Sequence, residues 1–390
     1  MAPLVIVGCN ISWTYQRGGS VWTRLSWALG LERAGVDVFV VDQLDLNASA
    51  IEPGQERTYA NALNVGWFDE IVAQFGLSGR VALIGHDGRA LRGPGLDELK
   101  ELAESADALV NLSGDLRVDA IKNRVRRRIL VDTDPGLTHF WLVSGRPAPR
   151  IVEHDLYFTV GENVGRPECP IPAAGIRWRH VRQPVLLEHW PATDTPTPWR
   201  FTTVATWRGV GPHGRTPESP PTSIDKADEF LRFAQLPRLT DQRFEIVVGE
   251  SADPEQTQHL VDAGWTVGSA QARAGDPGSF RTYVQDSAAE FSVAKGVYVR
   301  TGSGWFSDRT TRYLASGKPA LVQDTGFRRT IPVGDGLIAF RTVREAAAGA
   351  RRIVGDYGHH AAAARQLAEE HFAAPVVLGR FVDEALSAPL

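Results

Sequence analysis

The chain has 390 residues, 43% of them hydrophobic and 23% charged, with a formal net charge of −4; that is long enough for two cores of ordinary size. No run approaches the ~20 apolar residues that a membrane helix requires, and the small negative charge offers no global attraction to nucleic acid or anionic lipid. Cys9 and Cys169 stand far apart with no neighbouring Cys or paired His, which excludes a disulfide framework and a zinc site and leaves two free thiols.

The opening, Met1 to Gly8, has no basic leader; it reads as a first strand (Leu4–Val7), and a cytoplasmic protein without a membrane span is expected. A polar loop, "NISWTYQRGGS" (10–20), precedes an amphipathic helix over Ser20–Ala34, in which Val21, Leu25, Ala28 and Leu29 recur at helical spacing, Ser20 can cap and Gly35 can end. A second strand, Val36–Val41, completes a βαβ unit. Short apolar strands follow at Val81–Ile84, Ala108–Leu112, Arg128–Val131 and Leu156–Val160, separated by helical stretches such as Leu96–Ser105. Each runs into a polar loop: "GHDG", "NLSG", "DTDPG" and "VGENVG". This alternation predicts a parallel, doubly wound sheet over residues 1–183.

The stretch "QPVLLEHWPATDTPTPW" (183–199) holds four Pro and three Thr, the composition of a linker, here given as residues 184–199. A second α/β pattern then spans 200–372, with strands near Phe201–Ala205, Phe244–Val248, Gly264–Val267, Gly296–Val299 and Ala320–Val322. Helices are predicted at Lys226–Phe233, Pro254–Ala263 and Asp308–Ala315, and the insertion "GVGPHGRTPESPPTS" (209–223) reads as a mobile surface loop. Glu345–Val354, His360–Phe372 and Val376–Leu386 are the closing helices, the last of them (373–390) free to pack back on the first domain. The fold class expected is α/β, with two Rossmann-like domains facing a central cleft.

In open parallel sheets ligands bind outside the carboxyl ends of the strands. There "TGSGWFSDRTTRYLASGKPALVQDTGF" (301–327) places Ser307 as an N-cap, a helix to Ser316, and Gly317 with Pro319 beyond. The amides of that first turn with Ser307, Arg309, Thr310 and Thr311 make a donor-rich concavity suited to a phosphate. The same residues also make a capped surface helix, whose Asp308 would repel part of an anion's charge. The next strand ends in Gln323, Asp324, Thr325 and Gly326, an amide, a carboxylate and a hydroxyl that suit a polyhydroxylated ligand.

From this helix, "YLASGKPALVQDTG" and "GDGLIAF" (334–340), the chain resembles the C-terminal domain of GT-B glycosyltransferases. In that family a small-Gly-x-Pro turn follows the nucleotide-sugar helix, and the acidic loop after the next strand contacts sugar hydroxyls. The resemblance implies that Arg208 in "TWRG" and Lys226 in "DKADEFLRF" neutralise the diphosphate of a nucleotide-sugar donor. Two such cations stabilise the leaving group without a metal, and no cofactor is implied beyond the donor as co-substrate. Lys226 equally reads as a helix-start residue paired with Asp225 or Glu229. Gly304 and Arg312 stand where retaining members carry a Glu pair, and Gly304 supplies no His as inverting members do; stereochemistry is not implied. A divergent bacterial glycosyltransferase-like group is also similar through "WFSDRTTRYLASGKP" and "DTDPG".

In the first domain Asp134 or Asp132 at the end of a strand can accept the proton of an acceptor hydroxyl, with His86, beside Asp87, as a rival base. Asp134-Pro135-Gly136 is also a good turn. Trp13 or Tyr15 can stack on an acceptor, Gly18 and Gly19 can let backbone approach it, and Glu162 is a further cleft residue. The acceptor is open: a small metabolite, a glycan or a modified nucleic acid all fit, and the oligomeric state is not encoded legibly. No Gly-x-Gly-x-x-Gly follows the first strand and no P-loop occurs, which disfavours a dinucleotide oxidoreductase and the commonest phosphotransferases. The ten His show no metal-ligand spacing, and Arg124–Arg128 reads as a solvated helix end. The reading is a hexosyl-type glycosyltransferase, with a nucleotide-sugar epimerase or a non-catalytic sugar-nucleotide or glycan-binding protein of the same fold as alternatives.

Overall fold

The computed structural model describes residues 2–144, 149–194, 199–208, 225–249 and 252–387. The 209–223 insertion and residues 195–198 of the expected linker lie outside them. Two sheets organise the chain. The first has the strand order β4-β3-β2-β1-β5-β6-β7-β8, with β1 Leu4–Gly8, β2 Asp37–Leu44, β3 Val81–Gly85, β4 Ala90–Arg92, β5 Ala108–Leu112, β6 Arg128–Asp132, β7 Leu156–Thr159 and β8 Trp178–His180. All neighbours are parallel except β3 and β4. The second is wholly parallel, β11-β10-β9-β12-β13-β14. Its strands are β9 Phe201–Ala205, β10 Phe244–Val248, β11 Thr266–Ser269, β12 Ala289–Ser292, β13 Ala320–Gln323 and β14 Leu337–Phe340. The strand order reverses at β1 beside β5 and at β9 beside β12, and each reversal opens a crevice at the carboxyl ends.

The strands form where the sequence offers short apolar runs covered on both faces by helices. β10, "FEIVV", is buried along its whole length. The rings of Phe201 and Phe244 stack at 5.1 Å, and those of Phe291 and Phe340 at 5.2 Å, in the core of the second half. Two expectations are corrected. Residues 296–299, "GVYV", are β-branched and aromatic enough to read as a strand, but they belong to a helix, Gly296–Thr301. The strand there is β12, hidden in the sequence by Glu290 and Ser292. The first helix begins at Gly18 rather than Ser20, with no side-chain cap.

The segment read as a linker is half core: Val185, Leu186 and Trp190 are fully buried. Val185 pairs with Ala373 through an isolated parallel bridge, which leads into the last helix, Ala374–Ser387. That helix lies on the first half, where Phe381 meets Trp27 at 5.2 Å and Phe158 at 4.7 Å. The largest apolar cluster contains residues of both halves, from Val21 and Trp22 to Phe280 and Tyr313. At this seam Trp22 donates its indole N–H to the Pro277 carbonyl at 2.9 Å. The two sheets are therefore joined on one side by packed side chains as well as by chain connections. Among the described residues no helix is long and apolar enough to cross a membrane.

Candidate active site

The loops that follow β12 and β13 meet those that follow β6 and β7 of the first half, through Lys295 and Asp134 and through Gly326 and Asn163. The Asp308–Ala315 helix starts at this crevice with Ser307 as N-cap, whose hydroxyl accepts from Arg309 N at 3.3 Å. Gly317, at φ +68°, turns the chain away from the helix end. Lys318 then drops its ammonium onto the carbonyls of Thr193 (3.2 Å) and Asp194 (2.7 Å).

Arg309 departs from its expected role. Its guanidinium is buried and points inward, giving Nε to Glu290 at 2.7 Å, one terminal nitrogen to the Val204 carbonyl at 2.6 Å and the other to Ser292. Glu290 is fully buried, so the pair is a structural plug that joins β9, β12 and the helix start. Asp308 is likewise engaged, accepting from Thr23 of the first half and from Arg312, each at 2.6 Å. The polar helix start thus serves chiefly to fasten the two halves. Thr310 and Ser307 line a cavity of about 10 Å³ with Trp305 and Phe306, room for one water and not for a phosphate as it stands.

The expected sugar-binding residues are also committed. Gln323 accepts from Ala294 N at 3.0 Å and donates to Glu229 at 2.7 Å. Asp324 pairs with Arg341 at 2.8 Å and accepts from Gly326 N at 2.8 Å, while Thr325 donates to the Trp305 carbonyl. Gly326, at φ +92°, leaves no room for a Cβ, which would sit 2.7 Å from the Asn163 amide and 2.8 Å from the Gly302 carbonyl. These four residues build the wall of the crevice and dock it on the β7 loop.

Lys226 is different. It opens its helix after β9, is buried, and among the described residues makes no hydrogen bond or ion pair; its ammonium lies over the Trp305 ring at 5.7 Å. Burial, reinforced by the neighbouring Arg309 and Lys295 charges, lowers its pKa from 10.5 to about 7. A buried ammonium is costly where no acid touches it, and among the described residues none touches Lys226. Arg208, by contrast, is half exposed and rests against Asp253 at 3.3 Å.

Across the crevice Asp134 is met by two residues that the sequence reading did not single out. Lys295 reaches Asp134 Oδ2 at 2.7 Å, and the Tyr298 hydroxyl donates to Oδ1. Tyr298 stacks on Trp305 at 4.6 Å, which links this pair to Lys226. Asp134 keeps about a third of its side chain exposed. Asp132 does not compete as a base: it is buried and accepts from Thr138 at 2.6 Å, Thr159 at 2.7 Å and Asp134 N at 3.2 Å, which fixes the turn that presents Asp134.

The other candidates of the first half stand apart or are engaged. His86 lies at the β3–β4 turn, 3.9 Å from Asp45, and β3 is four places from β6 in the sheet. Glu162 is buried in an ion pair with Arg182 at 2.8 Å. Tyr15 packs edge-on against Trp67, and Arg17 covers the Trp13 ring at 4.4 Å. Gly18 and Gly19 do permit a close approach, but to protein: a Cβ on Gly18 would lie 2.1 Å from the Asp276 carbonyl and one on Gly19 2.8 Å from Phe280. A depression of about 390 Å³ opens elsewhere, between Trp22, Phe75, His189 and Arg281, and contains none of these residues. Among the described residues no three His, Cys, Asp or Glu side chains gather as metal ligands would.

No protein-family model and no curated protein matches the chain. Solved structures do share its fold. Sucrose-phosphate synthase from Thermosynechococcus elongatus aligns over the whole of both chains with a TM-score of 0.57 at 11% identity. An alpha-glucosyltransferase in complex with UDP and DNA aligns over the whole of both chains at 0.58 and 9%. AviGT4, a glycosyltransferase involved in avilamycin A biosynthesis, aligns over 99% of each chain at 0.55 and 13%. At these identities the likeness is one of architecture, and it defines the chain as having the GT-B fold.

Proposed function

We propose that the protein is a metal-independent glycosyltransferase, in which the 200–372 half binds a nucleoside-diphosphate sugar and the 1–183 half an acceptor. The observation that carries this reading is Lys226, a buried lysine at the carboxyl end of β9 that has no counter-ion among the described residues. In our reading its partner is the donor diphosphate, flanked by Lys295 and by Arg208 swung away from Asp253. These cations offset the charge that develops as the nucleoside diphosphate leaves. The acceptor oxygen attacks the anomeric carbon, its proton passes to Asp134, and the bond from that carbon to the phosphate oxygen breaks. Ser307 and Thr310 border the phosphates, and Gln323 to Gly326 shape the sugar's wall, once the small cavity beside Trp305 and Phe306, of about 10 Å³, has widened. A hexosyl group is the proposed cargo, as in the glucosyltransferase of the same fold. Two free thiols, Cys9 and Cys169, fit a cytoplasmic setting.

The test is a thermal-shift titration of the wild type and Lys226→Met with UDP, GDP, ADP and dTDP and with their sugars. A specific ligand at 100 times its Kd stabilises by about 2.7 kcal/mol, so at least one should raise the wild-type midpoint by several degrees and leave the variant unmoved. If none moves the wild type, the reading is lost.

A further inference from the structure

Asp134, the base assigned above, is not free to act in this structure. One carboxylate oxygen accepts from Lys295 at 2.7 Å and the other from Tyr298, both residues belonging to the opposite half. Tyr298 remains a donor, because burial and the adjacent Asp134 hold its phenol well above its usual pKa. The backbone of the two partners is firmly set: Lys295 immediately precedes the Gly296–Thr301 helix that carries Tyr298, and the Val297 side chain abuts Gly136 of the Asp134 turn. The lysine is the partner that can leave without moving the helix, since its long side chain is partly exposed while Tyr298 is stacked against Trp305 at 4.6 Å. The two lysines flank one aromatic stack, Lys295 5.4 Å from the Tyr298 ring centre and Lys226 5.7 Å from that of Trp305.

We propose that Lys295 is a shared cation, bound to Asp134 while the crevice is empty and transferred to the donor diphosphate when it arrives, so that Asp134 is uncovered only with donor in place. The inference rests on the transferase reading and deepens it. A diphosphate carries more charge than a carboxylate, so it competes well for the Lys295 ammonium. Tyr298 stays behind as a positioning residue, holding the carboxylate on the acceptor's side. Binding is then ordered, donor before acceptor, because Asp134 can take the proton of an acceptor hydroxyl only after the donor has drawn Lys295 away. Loss of the Lys295 contact also removes one of the ties between the halves and lets the crevice widen for the sugar.

A double-mutant cycle on nucleoside diphosphate affinity tests this without knowledge of the acceptor. The probe is the tightest binder among UDP, GDP, ADP and dTDP, titrated calorimetrically into wild type, Asp134→Asn, Lys295→Met and the double variant. Removal of Asp134 frees Lys295 for the phosphates, so Asp134→Asn should tighten binding by about tenfold, and Lys295→Met should weaken it by about tenfold, in keeping with couplings of close charge pairs. In the Lys295→Met background the Asp134 change should have no effect. A carboxylate that merely braces the fold would weaken binding when lost, and that result in the presence of Lys295 overturns the exchange. So does unchanged affinity in Lys295→Met while Lys226→Met abolishes binding, an outcome that leaves the donor site itself standing. If no diphosphate binds the wild type, both readings fall.

Discussion

Two sides of one crevice treat buried charge in opposite ways. At the start of the Asp308–Ala315 helix every charge is matched: Arg309 by Glu290, and Asp308 by Arg312 and Thr23. Nearby, Lys226 is buried against an aromatic ring with no acid in contact among the described residues. The first arrangement holds the protein together, and the second is the one our proposal assigns to an incoming diphosphate. The contrast teaches that a cation at a strand's carboxyl end is informative only once its partners are known, since Arg309 and Lys226 looked alike as anion ligands.

The largest effect should come from breaking the matched side. Arg309→Met leaves Glu290 buried without its partner, and loss of one member of a buried pair costs about 3–5 kcal/mol; urea unfolding should show that fall. A stable Arg309→Met variant would mean that the plug is not structural. On the unmatched side the sign reverses. Lys226→Met should raise stability while it abolishes diphosphate binding, the usual trade at a functional site. The pH dependence sharpens this. The folded pKa, about 7, lies below the ordinary 10.5, so between those values the unfolded chain binds more protons than the native protein. The cost of Lys226 is therefore full below pH 7 and fades as pH rises toward 10.5, and the thermal advantage of Lys226→Met should shrink over the same window. An advantage independent of pH would contradict the burial of a titrating amine.

Smaller effects follow at the seam and the rim. Gly18→Ala drives a methyl to 2.1 Å from the Asp276 carbonyl, an overpacking expected to cost about 1–3 kcal/mol and visible as a lowered unfolding midpoint. Free tolerance there would show that the seam is loose. Arg208→Ala removes only a half-exposed pair at 3.3 Å, so stability should change by less than about 0.5 kcal/mol, with a loss of diphosphate affinity smaller than that of Lys226→Met.

Much of the architecture was legible because it is carried by local signals. β5, β9 and β10 are apolar runs read to the residue, and the Asp308–Ala315 helix is bracketed by Ser307 and Gly317. β12 was missed because Glu290 and Ser292 break its apolar pattern, and what allows them in a buried strand is Arg309, nineteen positions downstream in sequence. The 296–299 segment misled through β-branched propensity that tertiary packing overrode. The crevice was readable in part: the resemblance pointed to Lys226, but Lys295 finds its meaning in Asp134, 161 residues away, and no local pattern announces such a pair. The same distance hid the fastening role of Asp308, whose partner Thr23 lies 285 residues off.

The most direct measurement of the central claim is proton uptake on diphosphate binding, obtained by calorimetry at pH 8 in buffers of different ionisation enthalpy. A Lys226 amine that is mostly neutral in the empty crevice must be charged by the incoming phosphate, so the wild type should take up close to one proton per bound nucleoside diphosphate and Lys226→Met none. Binding with no uptake by the wild type, or with the same uptake in both proteins, would contradict the account.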